Sequence, residues 1–358
     1  MVKLLLFLTL LLLSTSCAEN ASASNGRADL DSPLHSSRKK ELSPDRRLDS
    51  LFGYYFGNDQ IHSMNVDGRV YLASSAHNRC LVFLEDLSQL DAVVGSSGEG
   101  PKELILAYTL WTDGDRIYIP GGKKGRFVVY DREGKVQHSF AKPTPRRTGS
   151  TFFVADGRAY ISCPRCEQMI TVINDEGQVV DDFGEPYPFL EGREILFRNF
   201  QHLLLLPGRE DIFIAIGESE PVVSFYSIDG KLLSQSNLAD TYEPLQRYMQ
   251  NLPVRKERDH KLGNSVESSQ YILFNAAKWY DGALYLLMNQ NDEQGEPRPQ
   301  EVLKCTVIDY RFTITDHYTF KTDALRPWYE DFFFTDQGEM VLYDMGSDGF
   351  YVFNPDQD

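Results

Sequence analysis

One phrase recurs along the chain: an alternating apolar run, a tight polar turn, then a second alternating run. "VDGRVYL" (66–72), "TDGDRIYI" (112–119), "ADGRAYI" (155–161) and "YDGALYLL" (280–287) share it, and "PGREDIFIAI" (207–216) and "TDQGEMVLY" (335–343) are looser copies. Period-two alternation predicts strands, and Asp-Gly between them predicts hairpins, because glycine accepts the positive φ of a two-residue turn. After a variable loop, each copy is followed by a second hairpin, such as "FVVYDREGKVQHSF" (127–140) or "VSFYSIDGKLLSQS" (223–236). The last copy stops early, at "GFYVFNPD" (349–356). The unit is therefore four antiparallel strands, and it occurs six times, with turns at Asp67, Asp113, Asp156, Gly208, Asp281 and Asp336. Self-similar four-stranded units predict an all-β chain: a six-bladed β-propeller of four-stranded antiparallel blades. A pair of β-sandwiches would not need the same phrase six times.

The longest interval between turns, from Gly208 to Asp281, contains Tyr242, Leu245, Tyr248, Met249 and Leu252 at helical spacing. This predicts a short helical insertion between blades 4 and 5. The truncated sixth unit lacks a strand, and the aromatic stretch "LDSLFGYYFGN" (48–58) is placed to supply it beside residues 349–354. Such pairing closes the ring and removes an exposed sheet edge. Residues 49–358 then form one propeller domain.

"GSSGEGPKEL" (95–104) has the glycine spacing of a phosphate-binding loop but not its chemistry. Pro101, with no N–H, takes the lysine position, and Glu103 stands where a hydroxyl would hold magnesium. The stretch reads as the connection from blade 1 to blade 2. Gly98-Glu99-Gly100-Pro101-Lys102-Glu103-Leu104, set between a blade and an Asp-Gly hairpin, resembles the G-x-G-P-G-E-F connection of six-bladed propeller lipoproteins of Bacteroidetes. Those proteins are similar to NHL and TolB propellers. The resemblance covers about residues 49–358 and implies fold and export more than an activity.

The ends and the charge refine the picture. Residues 1–16, "MVKLLLFLTLLLLSTS", have the basic start, apolar run and small-residue exit of a secretory leader. Leu13-Ser14-Thr15-Ser16-Cys17 resembles a bacterial lipobox, which implies lipidation at Cys17, export, and an anchor in the outer membrane. A plain leader-peptidase site near Ala18 is the alternative. Residues 17–48 are polar and read as a flexible tether. The formal charge is −16, and loss of Lys3 with the leader makes it −17, which argues against nucleic acid as a partner.

Candidate chemistry is sparse. Cys163-Pro164-Arg165-Cys166 is a C-x-x-C without a second pair, open to inert thiols, a disulfide, or metal or redox chemistry. Counting back five or six residues from each turn marks where the innermost strands begin. This selects His62, Tyr108, Thr151, His202, Asn275, Glu330 and Asp331 as candidate residues at the mouth of the central channel. Their alternative role is to satisfy buried strand ends. Glu330 and Asp331 together read as a polar rim, whose double removal would leave stability nearly unchanged. Trp328, in a connecting segment, is placed to touch a ligand. No catalytic residue, metal set or cofactor is expected. The expected function is a monomeric, lipid-anchored binding module for a protein, peptide or glycan at the cell envelope. The alternative is a metal-dependent hydrolase or lyase, with His62, His202, Glu330 and Asp331 as ligands at the channel.

Overall fold

The computed structural model describes residues 37–358 apart from 58, 101, 122–124, 143–150, 164–166, 188–198, 264–270, 322–326 and 357–358. The leader, Cys17, Cys166 and most of the expected tether lie outside the described residues. Among the described residues the strands form six sheets in one compact unit from residue 36 onward.

Blade 1 is β3 (Ile61–Val66), β4 (Arg69–Ser74), β5 (Arg79–Leu84) and β6 (Leu90–Val94); blade 2 is β7 (Trp111–Thr112), β8 (Arg116–Pro120), β9 (Arg126–Asp131) and β10 (Val136–Ala141). Blade 3 is β11 (Phe152–Ala155), β12 (Arg158–Ser162), β13 (Ile170–Ile173) and β14 (Val179–Phe183). Blade 4 is β15 (Gln201–Leu206), β16 (Arg209–Gly217), β17 (Val222–Ser227) and β18 (Leu232–Asn237). Blade 5 is β19 (Phe274–Tyr280), β20 (Ala283–Asn291), β21 (Pro297–Ile308) and β22 (Arg311–Phe320). Blade 6 is β23 (Tyr329–Phe334), β24 (Met340–Asp344) and β25 (Gly349–Phe353), completed by β2 (Arg46–Leu48). The fold is the six-bladed propeller that the repeat predicts.

The turn chemistry follows from the sequence phrase. In three of the copies both turn residues have positive φ: Asp67 at 51° and Gly68 at 71°, Asp156 at 49° and Gly157 at 70°, Asp281 at 45° and Gly282 at 71°. That is a type I′ turn, whose twist matches the flanking strands.

Packing explains why the strands read as nearly continuous apolar runs. Alternate residues of one strand feed opposite neighbours: Val70 and Leu72 pack toward blade 6, and Tyr71 and Ala73 toward blade 2. Six apolar clusters result, one for each pair of adjacent blades. The seam between blades 6 and 1 has an apolar cluster like the others, with Phe83, Phe333, Val341 and Phe350.

Two expectations need correction. The ring is closed by β2, in register Arg46↔Val352, Arg47↔Tyr351 and Leu48↔Phe350, so only Leu48 of the predicted strand takes part. The aromatic stretch instead folds back in a Leu51–Tyr54 turn with Phe52 and Gly53 at positive φ, and buries Phe56 against Tyr343 and Phe350. Residues 38–48, expected within the flexible tether, are built into the sheet structure. β1 (Arg38–Leu42) lies parallel to β22 as a fifth strand of blade 5, with Arg38 on Asp316 at 3.0 Å and Lys40 Nζ donating to Pro355 O at 2.9 Å. The expected helical insertion between blades 4 and 5 is present as the 19-residue α1 (Glu243–Lys261), which packs Leu245 and Tyr248 against blades 4 and 5 and also buries Leu252.

The connection from blade 1 to blade 2 bonds to itself. Gly100 N donates to the Glu103 carboxylate at 2.5 Å, and Leu104 N to Ser96 O at 2.8 Å. The loop thus bonds its own acidic side chain through the Gly100 N–H. Cys163 is disulfide-bonded, whereas Cys80 and Cys305 are free, buried thiols that burial pushes up, away from reactivity.

Candidate functional site

All six innermost strands begin at the same end of the axis, here called the mouth. The repeat register places the candidate residues there, and the structure divides them by what they touch.

Most are spent on joining blades. Thr151 Oγ1 accepts from Leu203 N at 2.6 Å, linking blade 3 to blade 4. His202 Nε2 meets Phe274 O at 2.8 Å, linking 4 to 5, and Asn275 Nδ2 donates to Tyr329 O at 2.8 Å, linking 5 to 6. Asp331 accepts from Ser63 N and, at 2.7 Å, from Ser63 Oγ, linking 6 to 1. Innermost strands have one edge without a ladder partner, and a buried backbone group left unbonded costs about 1–3 kcal/mol. These side chains satisfy that edge at four successive seams. Tyr108, half-buried in the loop before β7, belongs to the corresponding part of blade 2.

Asp331 has a second role. Lys278 of β19 reaches past blade 6, placing Nζ 2.9 Å from Asp331 Oδ1 and within hydrogen-bonding reach of Ser63 O. Both side chains are buried. Burial lowers the Lys278 ammonium and Asp331 opposes that shift. Lys278 was not among the sequence candidates. Its signal was the lone cation in "FNAAKWY" (274–280), a strand otherwise without charge.

Two candidates remain uncommitted. His62 Nδ1 is buried without a partner among the described residues; burial, followed by Lys278 and His202, holds the imidazole well below its usual value, so it is neutral at pH 7. Glu330 neighbours Asp331 in sequence but not in environment. Burial and then the Asp331 charge, with Glu218 and Asp59 adding, raise its carboxyl to about 7, against a hydrogen bond from the Trp328 side chain. Trp328 is half-buried beside it. The pair read as a polar rim is thus one buried structural ion and one titrating group.

The insertion stands at the same end. β20 runs from the Asp281-Gly282 turn toward the mouth. Its far end is braced by α1 through Asn251 Nδ2 to Asn291 O at 3.4 Å and Arg255 to Asn291 Oδ1 at 3.2 Å. Tyr248 Oη donates to Ile272 O at 3.2 Å, just before β19. α1 is therefore tied to the mouth end of blade 5. Among the described residues, no group of three or more His, Cys, Asp or Glu is gathered as metal ligands would be.

No protein-family model and no curated protein matches the chain. Solved structures do. A member of the DUF4221 family from Bacteroides vulgatus superposes with a TM-score of 0.55 at 11% identity, over 87% of this chain and 97% of that one. A Bacteroides fragilis protein, named for its inferred export, superposes with a TM-score of 0.53 at 12% identity, over 86% of this chain and 87% of that one. At such identity the likeness establishes the fold: the chain is a six-bladed β-propeller of the architecture found in these Bacteroides proteins.

Proposed function

We propose that the chain is an exported, lipid-anchored binding module of the cell envelope, whose ligand meets the axial mouth. The observation that carries it is Lys278. Its ammonium lies against Asp331, so the carboxylate that would anchor a divalent metal already has a fixed internal counter-ion. His202 is likewise tied to Phe274 O. That leaves a polar, partly enclosed mouth bearing His62, Glu330 and Trp328, which suits recognition better than metal-assisted hydrolysis. The leader, Cys17 and the lipobox resemblance support export and anchoring, as does the inferred export of the Bacteroides fragilis propeller.

Thermal melting with and without EDTA tests the reading. A native-state metal at one hundred times its Kd adds about 2.7 kcal/mol, so a hydrolase with its metal at the mouth would melt lower in chelator. The melt is expected to be unchanged; a chelator-dependent drop that Glu330→Ala abolishes would establish the hydrolase instead. For the anchor, Cys17→Ser is expected to move the protein from the membrane to the soluble exported fraction, and unchanged membrane association would refute lipidation.

A further inference from the structure

Blade 5 is complete with β19 to β22, yet its outer edge carries a fifth strand. β1 lies along β22 in parallel, whereas β22 meets β21 antiparallel. Its link to the ring is Ser43-Pro44-Asp45, which leads into β2. β1 is thus an addition to a finished sheet. Of its residues only Leu42 is buried, so releasing it uncovers one side chain of its own.

The addition is specific. Side chains alternate along a strand, and Arg38, Lys40 and Leu42 each meet a receiving group on the ring. Arg38 Nη2 lies 3.0 Å from Asp316 Oδ1; the Arg38 side chain is 77% exposed and that of Asp316 only 5%. Lys40 Nζ donates to Pro355 O at 2.9 Å. Leu42 enters the apolar cluster of Tyr318, Phe320 and Phe353. Between them, Glu41 meets Lys321 Nζ at 2.8 Å, and Lys39 is exposed. The backbone contributes Lys321 N donating to Leu42 O at 2.8 Å. A sheet edge recognises an extended peptide in this way, with affinity from main-chain bonds and specificity from sites for alternate side chains.

We propose that the outer edge of β22 is a strand-docking site, and that the Arg38–Leu42 segment of a second copy takes it when the resident segment detaches, joining two chains by strand exchange. A second copy is the occupant that the contacts select. It carries the same Arg-x-Lys-x-Leu pattern for Asp316, Pro355 O and the apolar cluster. Exchange keeps each of these contacts and changes only which chain supplies them. The closed and exchanged forms therefore differ mainly in the entropy of association and in strain at the hinge. The Ser43-Pro44-Asp45 hinge is short and stiffened by proline, a combination that invites exchange. The edge lies on the outside of the ring, and the mouth takes no part.

Two measurements on the full chain carrying Cys17→Ser test this. Arg38→Glu with Leu42→Asp sets a second carboxylate against Asp316 and removes the buried leucine, which frees the edge. A fluorescein-labelled peptide of residues 37–44, SRKKELSP, should bind this variant in anisotropy titrations. It should bind the intact chain at least about tenfold more weakly, because a tethered occupant competes at an effective concentration of about 1 mM. A peptide with the same two substitutions should bind neither. For the exchange, Glu41→Cys and Thr319→Cys chains, whose Cα atoms are partners in the register, are mixed under mild oxidation. The disulfide traps exchanged pairs as they form. A 41–319 cross-link should accumulate with protein concentration, above a control mixture of Glu41→Cys with Glu99→Cys. A folded edge variant that ignores the peptide, or equal binding by the variant and the intact chain, would overturn the docking site. No 41–319 cross-link above the control would overturn the exchange, and this measurement decides alone should the edge variant fail to fold.

Discussion

Removing the Asp331 carboxylate should destabilise the protein far more than a rim substitution would. The side chains of Lys278 and Asp331 are 9% and 2% exposed, and the ammonium lies 2.9 Å from Oδ1 and 3.1 Å from Oδ2. Asp331→Ala would leave the Lys278 charge in the interior with only the Ser63 carbonyl, and would orphan the Ser63 N–H at the seam of blades 6 and 1. Breaking a buried pair by deleting one partner costs about 3–5 kcal/mol, and the orphaned donor places this case toward the upper part of that range. Lys278→Met leaves Asp331 with both Ser63 donors and should cost less, about 2–3 kcal/mol. The double variant should cost less than the sum of the two, with a coupling of about 2 kcal/mol. Urea unfolding followed by circular dichroism, read as midpoint shifts at constant slope, measures all three. Asp331→Ala within about 0.5 kcal/mol of wild type, the size of an ordinary surface change, or strict additivity in the cycle, would refute the buried-pair account.

Glu330 should make stability fall as pH rises. Its folded carboxyl, at about 7, holds a proton that the unfolded chain, at 4.5, has already released. Its contribution is therefore complete below about pH 4.5 and lost by about pH 7, a swing of about 2 kcal/mol after allowing for the solvent that reaches it. Glu330→Gln should match wild type at pH 5 and exceed it by that amount at pH 8; equal stability at both values would count against the burial. His62 acts in the opposite sense. Its folded imidazole is depressed, so stability falls on acidification below about pH 6.5, a slope that pH-dependent melts of Glu330→Gln should uncover. Deleting residues 37–48 removes β1 and β2 together, bares the edges of β22 and β25, and should lower the melting temperature and promote self-association measurable by light scattering. Gly177→Ala should cost more than 2 kcal/mol in urea unfolding. Gly177 sits at φ 82°, and an added Cβ would collide with the backbone oxygen of Ala141 in the neighbouring blade.

The repeat was legible because the turn that starts each blade has a demanding backbone. Two adjacent residues at positive φ select Asp-Gly strongly enough to mark Asp67, Asp156 and Asp281 in the sequence itself. The closing strand was less so. "LFGYYFG" has the aromatic content of a strand, but content does not reveal that Phe52 and Gly53 turn the chain back. "RKKEL" carries no apolar alternation at all. β1 is held by a backbone ladder and by ion pairs with residues about 280 positions away, which no local pattern displays. At the mouth, register located the right residues but could not assign their roles. The register of β23 against β24 shifts between Tyr329 and Asp331, leaving Glu330 as the extra residue; Asp331 enters the seam and Glu330 does not, although in sequence they are simply two neighbouring carboxylates.

The bland and the functional readings of the mouth are therefore divided by residue. Four seams in succession use Thr151, His202, Asn275 and Asp331 to satisfy backbone that a propeller must otherwise leave unpaired at its centre. These positions are constrained by folding, and their substitution would disturb the ring before it changed a ligand. His62 occupies the corresponding place in blade 1, yet its Nδ1 has no partner among the described residues, and burial raises the Glu330 carboxyl. Both features cost stability, and neither closes a seam. A group that folding does not use, kept at a cost in stability, is where differential binding energy is available. Specificity is thus expected to vary with His62, Glu330 and Trp328, while the ring of seams stays the same.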